Sequence, residues 1–195
     1  MTAPPRHAVL SLPLVTERLI LRRFTGVDLT PFVTYRSDPE VARYQSWNAP
    51  YDPADAAALI AAMQVVQPGA PGEWYQVAIA DRSTGQLIGD CAFCVLPSSP
   101  DHPVHVEIGF TLARSRQGSG YATEAVGRLI TALFEELGVA RVQALCDIDN
   151  TASIRLLERL GMQLAGYFAE SFWDGTEWRS EYAYAIERAA WCHED

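Results

Sequence analysis

Hydrophobic residues recur at every second position in one central segment of the chain, which contains Val104, Val106, Ile108 and Phe110. This period of two is typical of a β-strand. Other strands are predicted where apolar runs are bounded by turn residues. They lie at residues 14–24, 74–81, 86–96, 141–148, 162–172 and 177–186. The pattern therefore predicts a sheet of about six to seven strands.

Helical spacing follows the central strand. Apolar residues recur there at positions i, i+3, i+4 and i+7, and this stripe consists of Ala122, Ala125, Val126, Leu129, Leu133, Phe134 and Leu137. Gly138 then stands where a helix C-terminal glycine is expected. Aspartate, asparagine and proline are common at helix starts. Asp28 and Thr30 offer N-cap chemistry for a helix near residues 30–37, and Asp38-Pro39 starts another. Asp52-Pro53 opens a helix at 53–66, and Asp149-Asn150 can cap one from 151. Strands and helices in this order predict a mixed sheet with helices packed on it.

Between the central strand and the long helix lies a short basic segment, Arg114-Ser-Arg-Gln-Gly-Ser-Gly120, which we call the glycine loop. Glycines allow the main chain to bring several N–H groups close to one point. The positive end of the following helix dipole lies at the same point. This combination is typical of a phosphate-binding loop.

The length of 195 residues fits one domain. We expect it to span residues 14–188, between a flexible N-terminal tail at 1–13 and a C-terminal tail at 189–195. The formal net charge of −9 argues against broad nucleic-acid binding, which needs a basic surface. No apolar run approaches the roughly 20 residues of a membrane span, and no signal-peptide pattern is seen. A cytoplasmic protein, either a monomer or a homodimer, is therefore expected.

The cysteines do not indicate a metal or redox site. Cys91 and Cys94 form a Cys-x-x-Cys pair, but it lies in an apolar strand, where residues three apart face opposite sides of the sheet. Packing is the better interpretation of the pair. Cys146 and Cys192 add no disulfide framework. We expect no bound metal.

Several segments together resemble the GCN5-related N-acetyltransferase (GNAT) superfamily. They are the strand Glu107-Ile-Gly-Phe110, the loop and helix start Gly118-Ser-Gly-Tyr-Ala-Thr-Glu124, and the asparagine-capped helix Asp149-Asn-Thr-Ala-Ser-Ile-Arg-Leu-Leu-Glu-Arg-Leu-Gly161. The same segments, together with Thr16-Glu-Arg-Leu-Ile-Leu-Arg22 and Glu177-Trp-Arg179, resemble the RimJ/RimL-type branch, which acetylates the N-termini of ribosomal proteins. The resemblance covers nearly all of the chain from Thr16 to about Glu187.

The resemblance implies an α+β GNAT fold. This fold has a central mixed, mostly antiparallel and twisted sheet of about six to seven strands, with splayed parallel central strands and about four helices. It also implies an enzyme, an acetyltransferase that passes the acetyl group of acetyl-CoA directly to a primary amine. The favoured acceptor is the α-amine of a protein N-terminus.

The resemblance also implies how acetyl-CoA is bound. In the family the diphosphate meets main-chain N–H groups of the glycine loop and the helix start, while the pantetheine arm lies along the preceding strand. Asn150 matches the family's asparagine that fixes the pantetheine, although a plain helix N-cap is an equal interpretation. The implied contact residues are Ile108, Phe110, Leu112, Arg116, Gln117, Gly118, Ser119, Gly120, Tyr121, Ala122, Asn150 and Ser153.

Two positions depart from the family pattern. The glutamine or arginine that usually begins the loop is replaced by Ser115, with arginines on both sides. The tyrosine that often serves as general acid falls on Leu157, which excludes that acid. Ser153 is the nearest hydroxyl and occupies the position that some relatives place near the sulfur of coenzyme A.

Glu107 is the candidate general base, because it lies on the central strand beside the splay and could attract a cationic amine. A structural role in the core is the other interpretation. His105, two residues earlier on the same face, is a weaker candidate. No cysteine nucleophile is needed for direct transfer.

Aromatic residues are the candidates for binding the acceptor, although aromatics more often belong to a core. The candidates are Tyr44, Trp47, Trp74 and Trp173, with Trp178 beside them. Asp174 and Glu177 on the last hairpin could attract a basic peptide N-terminus, or they could form an ordinary solvated turn.

Three alternatives remain at this point. The acceptor could be a small amine such as an aminoglycoside, a polyamine or an amino acid, or the donor could be another acyl-CoA. A dinucleotide-binding protein would need a third glycine where Thr123 stands, and it would leave Glu107 and Asn150 without a role. A non-catalytic coenzyme A sensor is the last alternative.

Overall fold

The alternating apolar segments form a single sheet in the computed structural model, which describes residues 8–97 and 103–191. Eight strands lie in the order β1-β2-β3-β4-β5-β6-β8-β7 across the described part of the chain. Their bounds are β1 Leu14–Val15, β2 Leu19–Arg22, β3 Trp74–Asp81, β4 Leu87–Val95, β5 His105–Leu112, β6 Arg141–Asp147, β7 Gln163–Trp173 and β8 Trp178–Glu187. The predicted α+β class is confirmed.

Five α-helices accompany the sheet in the described ranges. They are α1 Leu29–Arg36, α2 Pro39–Ala42, α3 Pro53–Val65, α4 Tyr121–Glu136 and α5 Thr151–Arg159. The apolar stripe predicted for the central helix is confirmed in α4, which packs against β1, β2, β5 and α5. Leu129 and Leu133 are fully buried there, and burying such a side chain contributes about 1.5–3 kcal/mol each. No helix of the described residues is both long and apolar enough to cross a membrane.

The first predicted strand is in fact two short strands. Residues 14–24 bend because Thr16 bonds back to Leu19: the Thr16 N–H donates to the Leu19 carbonyl at 3.0 Å, and the Leu19 N–H donates to Thr16 Oγ1 at 2.9 Å. This turn folds β1 against β2 as an antiparallel pair. The sheet therefore has eight strands rather than six to seven.

Two boundaries also differ from the prediction. Leu10 is buried in the core, and its N–H donates to the carbonyl of Pro68 at 2.9 Å. At the other end, the Trp191 indole N–H donates to Thr131 Oγ1 at 3.1 Å. The packed domain therefore includes residues before the predicted start at 14 and after the predicted end at 188. Residues 1–7, 98–102 and 192–195 lie outside the described part of the chain.

Asp28 does not cap α1 with its side chain, contrary to the prediction. Its carboxylate is buried and accepts hydrogen bonds from Arg22 Nη1 at 2.7 Å and Nη2 at 2.9 Å. It also accepts one from the N–H of Thr25. The predicted caps Asp38 and Asp52 are confirmed, since each accepts a main-chain N–H of the helix that follows it.

A buried ion pair joins α1 to β4. Arg36 Nη2 lies 3.1 Å from Asp90 Oδ2, and the two side chains are only 4% and 3% exposed. The Tyr35 hydroxyl also donates to Asp90. The Arg36 guanidinium stacks on the ring of Trp47 at 3.9 Å from its centroid. This cluster fixes α1 and the segment after it on one face of the sheet.

We expect Asp90→Asn to lower the free energy of unfolding by about 3 kcal/mol, because the Arg36 guanidinium would stay buried without its anion. Urea denaturation measures the change. Glu187→Gln is the matched control, since its pair with Arg141 is exposed and should be worth less than about 1 kcal/mol. Equal losses in the two variants would contradict a structural role for the buried pair.

Candidate active site

The central strands part after a short parallel ladder. β5 and β6 pair only at His105–Arg141, Val106–Val142 and Glu107–Gln143. Beyond that point β5 remains paired with β4 up to Leu112, and β6 remains paired with β8 up to Asp147. The predicted splay of the central strands is thereby confirmed. We call the gap between the two strands beyond Glu107 the strand slot.

The β5 side of the strand slot has main-chain groups directed into it. The carbonyl of His105 accepts the N–H of Leu96, and the N–H of Ala113 donates to the carbonyl of Ile88. The main-chain N–H and C=O groups of the odd-numbered residues of β5 therefore point toward β4, because these groups alternate in direction along an antiparallel strand. The main-chain groups of the even-numbered residues Ile108, Phe110 and Leu112 point into the strand slot.

The opposite side of the strand slot is set by β6. The N–H of Ile148 donates to the carbonyl of Ser180, and the N–H of Arg188 donates to that of Ala140. The main-chain groups of the even-numbered residues of β6 therefore form hydrogen bonds with β8. The main-chain N–H and C=O groups of the odd-numbered residue Leu145 point toward β5. No residue of the described ranges pairs with the main chain of Phe110 in the strand slot. An extended arm that carries amides fits such a pair of free strand edges.

The glycine loop ends with two residues in the left-handed region. Gly118 has φ of 76° and Gly120 has φ of 80°, a conformation that glycine adopts without strain. Gly120 is the N-cap of α4, and no side chain caps this helix start. The N–H groups of Tyr121, Ala122 and Thr123 therefore have no acceptor among the described residues. Free N–H groups at the start of a helix are the donors that bind an anion such as a phosphate.

The two side chains predicted to add to this site point elsewhere. Arg116 Nη1 lies 3.4 Å from Asp81 Oδ2. Gln117 Nε2 donates to the carbonyl of Leu112 at 3.0 Å, which closes the end of β5. A surface cavity of about 840 Å³ adjoins this part of the loop, and it is lined by Ser115, Arg116 and residues of α1.

Arg18 also reaches the helix start, although no local pattern in the sequence assigns it a role there. Its Nη1 donates to the carbonyl of Ser119 at 2.9 Å, and its Nε lies 2.6 Å from Glu124 Oε2. Its guanidinium lies 4.4 Å from the centroid of the Tyr121 ring. The only sign of Arg18 in the sequence was its place in the Thr16–Arg22 motif.

The start of α5 lies at the same edge of the sheet as the glycine loop, because β5 and β6 run parallel. Asn150 Oδ1 accepts the N–H of Ser153 at 3.2 Å, so the predicted N-cap is confirmed. The Asn150 amide nitrogen and the Ser153 hydroxyl have no partner in the part of the chain that the structure describes. Leu157 is fully buried. Arg159 joins the two helices by donating to Thr123 Oγ1 at 3.1 Å.

Glu107 lies in a row of side chains across the sheet. Trp74 pairs with Cys94, Cys94 with Glu107, and Glu107 with Gln143. Directly opposed residues face the same side, so all four lie on one face, together with Asp90 and α1. Gln143 Nε2 donates to Glu107 Oε2 at 3.1 Å, while the other carboxylate oxygen has no partner among the described residues. No local pattern in the sequence reveals the contact of Gln143 with Glu107.

The predicted acceptor aromatics are not brought to one place. Trp74 lies two strands from Glu107, about 10 Å away, and it is 45% exposed. Trp47 is on the same face, where its indole N–H donates to the carbonyl of Arg36. The guanidinium of Arg43 lies over the ring of Tyr44. Trp173 is at the tip of the last hairpin, paired with Trp178.

The hairpin tip is far from Glu107. Ala185 of β8 pairs with Gln143, and the seven residues from Trp178 to Ala185 span about 23 Å at 3.3 Å per residue. The predicted acidic residues of this hairpin are also occupied. Asp174 accepts hydrogen bonds from the N–H groups of Glu177 and Thr176, and these bonds lower the pKa of its carboxyl. Glu177 is paired with Arg179.

The cysteines of the described residues carry free thiols. Burial raises the pKa of Cys91, and it raises the pKa of Cys146 to about 11. Burial, with the charges of Glu107 and Glu73, also raises the pKa of Cys94. None of the three is therefore a thiolate at neutral pH, as a nucleophile would require. Cys192 lies outside the described residues.

Residues 18–163 match the family model described as an acetyltransferase (GNAT) domain. The chain is 33% identical over 153 residues to the uncharacterized N-acetyltransferase p20 of Bacillus licheniformis, a match that covers 78% of this chain and 83% of that protein. Its fold is similar to that of a GNAT-family acetyltransferase from Bacillus anthracis, with a TM-score of 0.77, 28% identity, and coverage of 90% and 98% of the two chains.

Two further structures have this fold, and their names state two different acceptors. One is ribosomal-protein-S5-alanine acetyltransferase from Vibrio fischeri, with 17% identity, a TM-score of 0.73, and coverage of 94% and 100%. The other is spermidine N-acetyltransferase from Vibrio cholerae in complex with CoA and spermine, with 18% identity, a TM-score of 0.74, and coverage of 90% and 98%. At these identities the likeness shows the fold alone.

We expect the thiols of Cys91, Cys94 and Cys146 to react slowly with an aromatic disulfide reagent at pH 8. A pKa of about 11 for Cys146, instead of the ordinary 9.0, lowers its thiolate fraction about a hundredfold at that pH. A Cys192→Ser background removes the fourth thiol. Unfolding in guanidinium should release all three thiols, which serves as the control. A native thiol that reacts as fast as free cysteine would contradict this assignment.

Proposed function

This chain belongs to the GNAT family and is an acetyl-CoA-dependent N-acetyltransferase, and we propose that the amine it acetylates is the α-amine of a protein N-terminus, such as that of a ribosomal protein. The observation that carries this proposal is the row of side chains that runs across the sheet from Glu107 to Trp74. Trp74, at the end of the row, is nearly half exposed. A row that ends in an exposed aromatic side chain suits the first residues of a longer chain.

On the donor side, the proposed diphosphate site consists of the glycine loop and the first N–H groups of α4. The free donors at Tyr121 and Ala122 support this assignment. The proposed site of the pantetheine arm is the strand slot, where the main chain of Phe110 is free to pair with an amide. Asn150 would contribute its free amide nitrogen, while its oxygen continues to cap α5.

Two loop side chains need a rearrangement to contribute as the family resemblance implies. Arg116 would have to leave Asp81, from which it is 3.4 Å away, before it could reach a phosphate. Gln117 holds the end of β5 through the carbonyl of Leu112. Gln117 therefore supports the strand slot more directly than it supports the phosphates.

Glu107 is the proposed general base. The incoming amine is protonated in water at neutral pH, and it becomes a nucleophile only after a proton has been removed. The carboxylate oxygen of Glu107 that Gln143 leaves free can take that proton, directly or through one water. Acetyl-CoA supplies an activated acyl carbon. Main-chain N–H groups left unpaired at the strand slot would stabilise the negative charge that develops on the acyl oxygen.

Ser153 is the proposed proton donor to the departing thiolate. Its hydroxyl is at the start of α5 and is not committed to another described residue, and its own N–H is held by Asn150. The burial of Leu157 in the core leaves no polar side chain at the position where many relatives have a tyrosine. A thiolate that leaves without any side-chain acid is compatible with the same site.

A polyamine acceptor is the second candidate, and one observation favours it. Arg179 of β8 neutralises only part of a group of carboxylates, because it is shared by Asp147, Asp149 and Glu177. Asp147 faces the same side as Glu107, since the two are related through Gln143 by strand alternation. This surplus of negative charge would attract a second ammonium group of the acceptor.

We expect Glu107→Gln to lower kcat by about 100-fold or more at neutral pH, as removal of a general base typically does. Binding of acetyl-CoA, measured by calorimetry, should stay within twofold of the wild type. His105→Gln is the matched control on the same strand and should retain most of the activity. A Glu107→Gln enzyme with unchanged kcat would remove Glu107 as the base.

The acceptor is tested by following free thiol release from acetyl-CoA with a panel of amines. Peptides that carry ribosomal-protein N-termini should react with a kcat/KM at least tenfold above that of spermidine, spermine, aminoglycosides and free amino acids. The same peptides with a blocked α-amine are the control, and they should not react. Turnover of the polyamines without turnover of any peptide would replace the first proposal with the second.

A further inference from the structure

Arg18 is held rigidly against the start of α4 although it lies more than 100 residues away in the chain. It lies in the turn between β1 and β2. Its Nε lies 2.6 Å from Glu124 Oε2, its Nη1 donates to the carbonyl of Ser119 at 2.9 Å, and its own N–H donates to Glu124 Oε1 at 2.9 Å. Its planar guanidinium therefore has one orientation, which is unusual for a side chain that is 41% exposed.

Glu124 is the anchor of this arrangement. Besides Arg18, it accepts a hydrogen bond from Thr16 Oγ1 at 2.5 Å. Burial alone would raise the pKa of Glu124, but the hydrogen bonds from Thr16 and Arg18 outweigh that effect and lower it. The carboxylate is therefore charged at neutral pH and fixes the guanidinium. This contact also gives a physical reason for the presence of the Thr16–Arg22 and Gly118–Glu124 motifs in the same chain.

One side of the Arg18 guanidinium remains free. Nη2 has no acceptor among the described residues, and it lies 3.4 Å from the point that a Cβ on Gly120 would occupy. The residues with free N–H groups, Tyr121 and Ala122, follow directly after Gly120. Arg116, the loop arginine that the family resemblance implies as a contact, is engaged with Asp81. The free donors at this point therefore include one fixed guanidinium and the N–H groups of one helix start.

We propose that Arg18 is a further coenzyme A-binding residue, whose Nη2 donates to the diphosphate while Glu124 and Ser119 hold the guanidinium in place. This inference rests on the proposed function of the glycine loop. The charged Nη2 group can donate a charge-assisted hydrogen bond to a phosphate oxygen, and its orientation is fixed before the ligand arrives. Ligand binding therefore does not cost the conformational entropy of ordering a long side chain at this position.

Calorimetry with coenzyme A compares the wild type with Arg18→Gln. We expect the variant to bind coenzyme A about tenfold to a hundredfold more weakly, because hydrogen bonds to charged groups have about this effect. KM for acetyl-CoA should rise by the same factor, while kcat and KM for the acceptor stay within about twofold. A merely structural role for Arg18 would lower kcat and thermal stability together instead.

Arg82→Gln is the matched control. Arg82 lies beside the same turn, where its Nη1 donates to the carbonyl of Thr16 at 3.0 Å, and it has no described contact with the glycine loop. The variant changes the net charge equally and should bind coenzyme A within about twofold of the wild type. An equal loss in both variants would reduce the role of Arg18 to a general effect of charge and would overturn the proposal.

Shortened ligands locate the contact. Acetyl-pantetheine lacks the diphosphate, so Arg18→Gln should bind it as the wild type does. Dephospho-coenzyme A keeps the diphosphate and should show the full loss. If the loss disappears with dephospho-coenzyme A, Arg18 contacts the 3′-phosphate instead, and the assignment to the diphosphate is wrong.

Failure of this inference and failure of the proposed function give different results. A wild-type protein that does not bind coenzyme A would refute the diphosphate site of the glycine loop. Wild-type binding together with unchanged binding by Arg18→Gln would refute Arg18 alone. If Arg18→Gln does not fold, Arg18→Lys keeps the charge without the fork. Arg18→Lys should then weaken binding several-fold, and wild-type affinity in that variant would equally overturn the proposal.

Discussion

The candidate active site depends on competition between hydrogen-bonded ladders. β5 keeps its pairing with β4 from Val106 to Leu112, and β6 keeps its pairing with β8 from Arg141 to Asp147. Each central strand thus follows its antiparallel outer neighbour, and the parallel pairing between the two ends after Glu107. Since sheets twist, two strands bound to different neighbours separate progressively. The strand slot is therefore a property of the whole sheet and not of the side chains that line it.

The functional groups are arranged around the point where the strands part. Glu107 belongs to the last parallel pair, so its side chain is supported by Gln143 on one side and borders the strand slot on the other. The glycine loop and the start of α5 follow the ends of the same two strands. A change that extended the parallel ladder by two residues would fill the strand slot with main-chain bonds, and the binding groups of Phe110 would be lost.

Local patterns predicted the elements that depend on neighbouring residues. The alternation in β5, the stripe of α4, and the capping asparagine of α5 each use residues within one or two turns, and all three are confirmed. The turn at Thr16 was missed, because it depends on one side-chain hydrogen bond to Leu19 inside an otherwise alternating segment. Contacts between distant segments, such as that of Arg18 with Glu124, leave no periodic trace. The aromatic ring of Trp173 and its place on the last hairpin predict a contact with the acceptor, but the register of β8 places it far from Glu107.

The fixed guanidinium of Arg18 has a consequence for the kinetics of encounter. The chain carries a net charge of −9, and coenzyme A is itself a polyanion, so the long-range field of the protein opposes its approach. The attraction at the glycine loop takes over only within a Debye length, about 8 Å at physiological ionic strength. Moderate salt should therefore quicken association by screening the repulsion. Because the acidic chain repels the ligand at long range, the attraction at the glycine loop acts only on a ligand that has already come close to it.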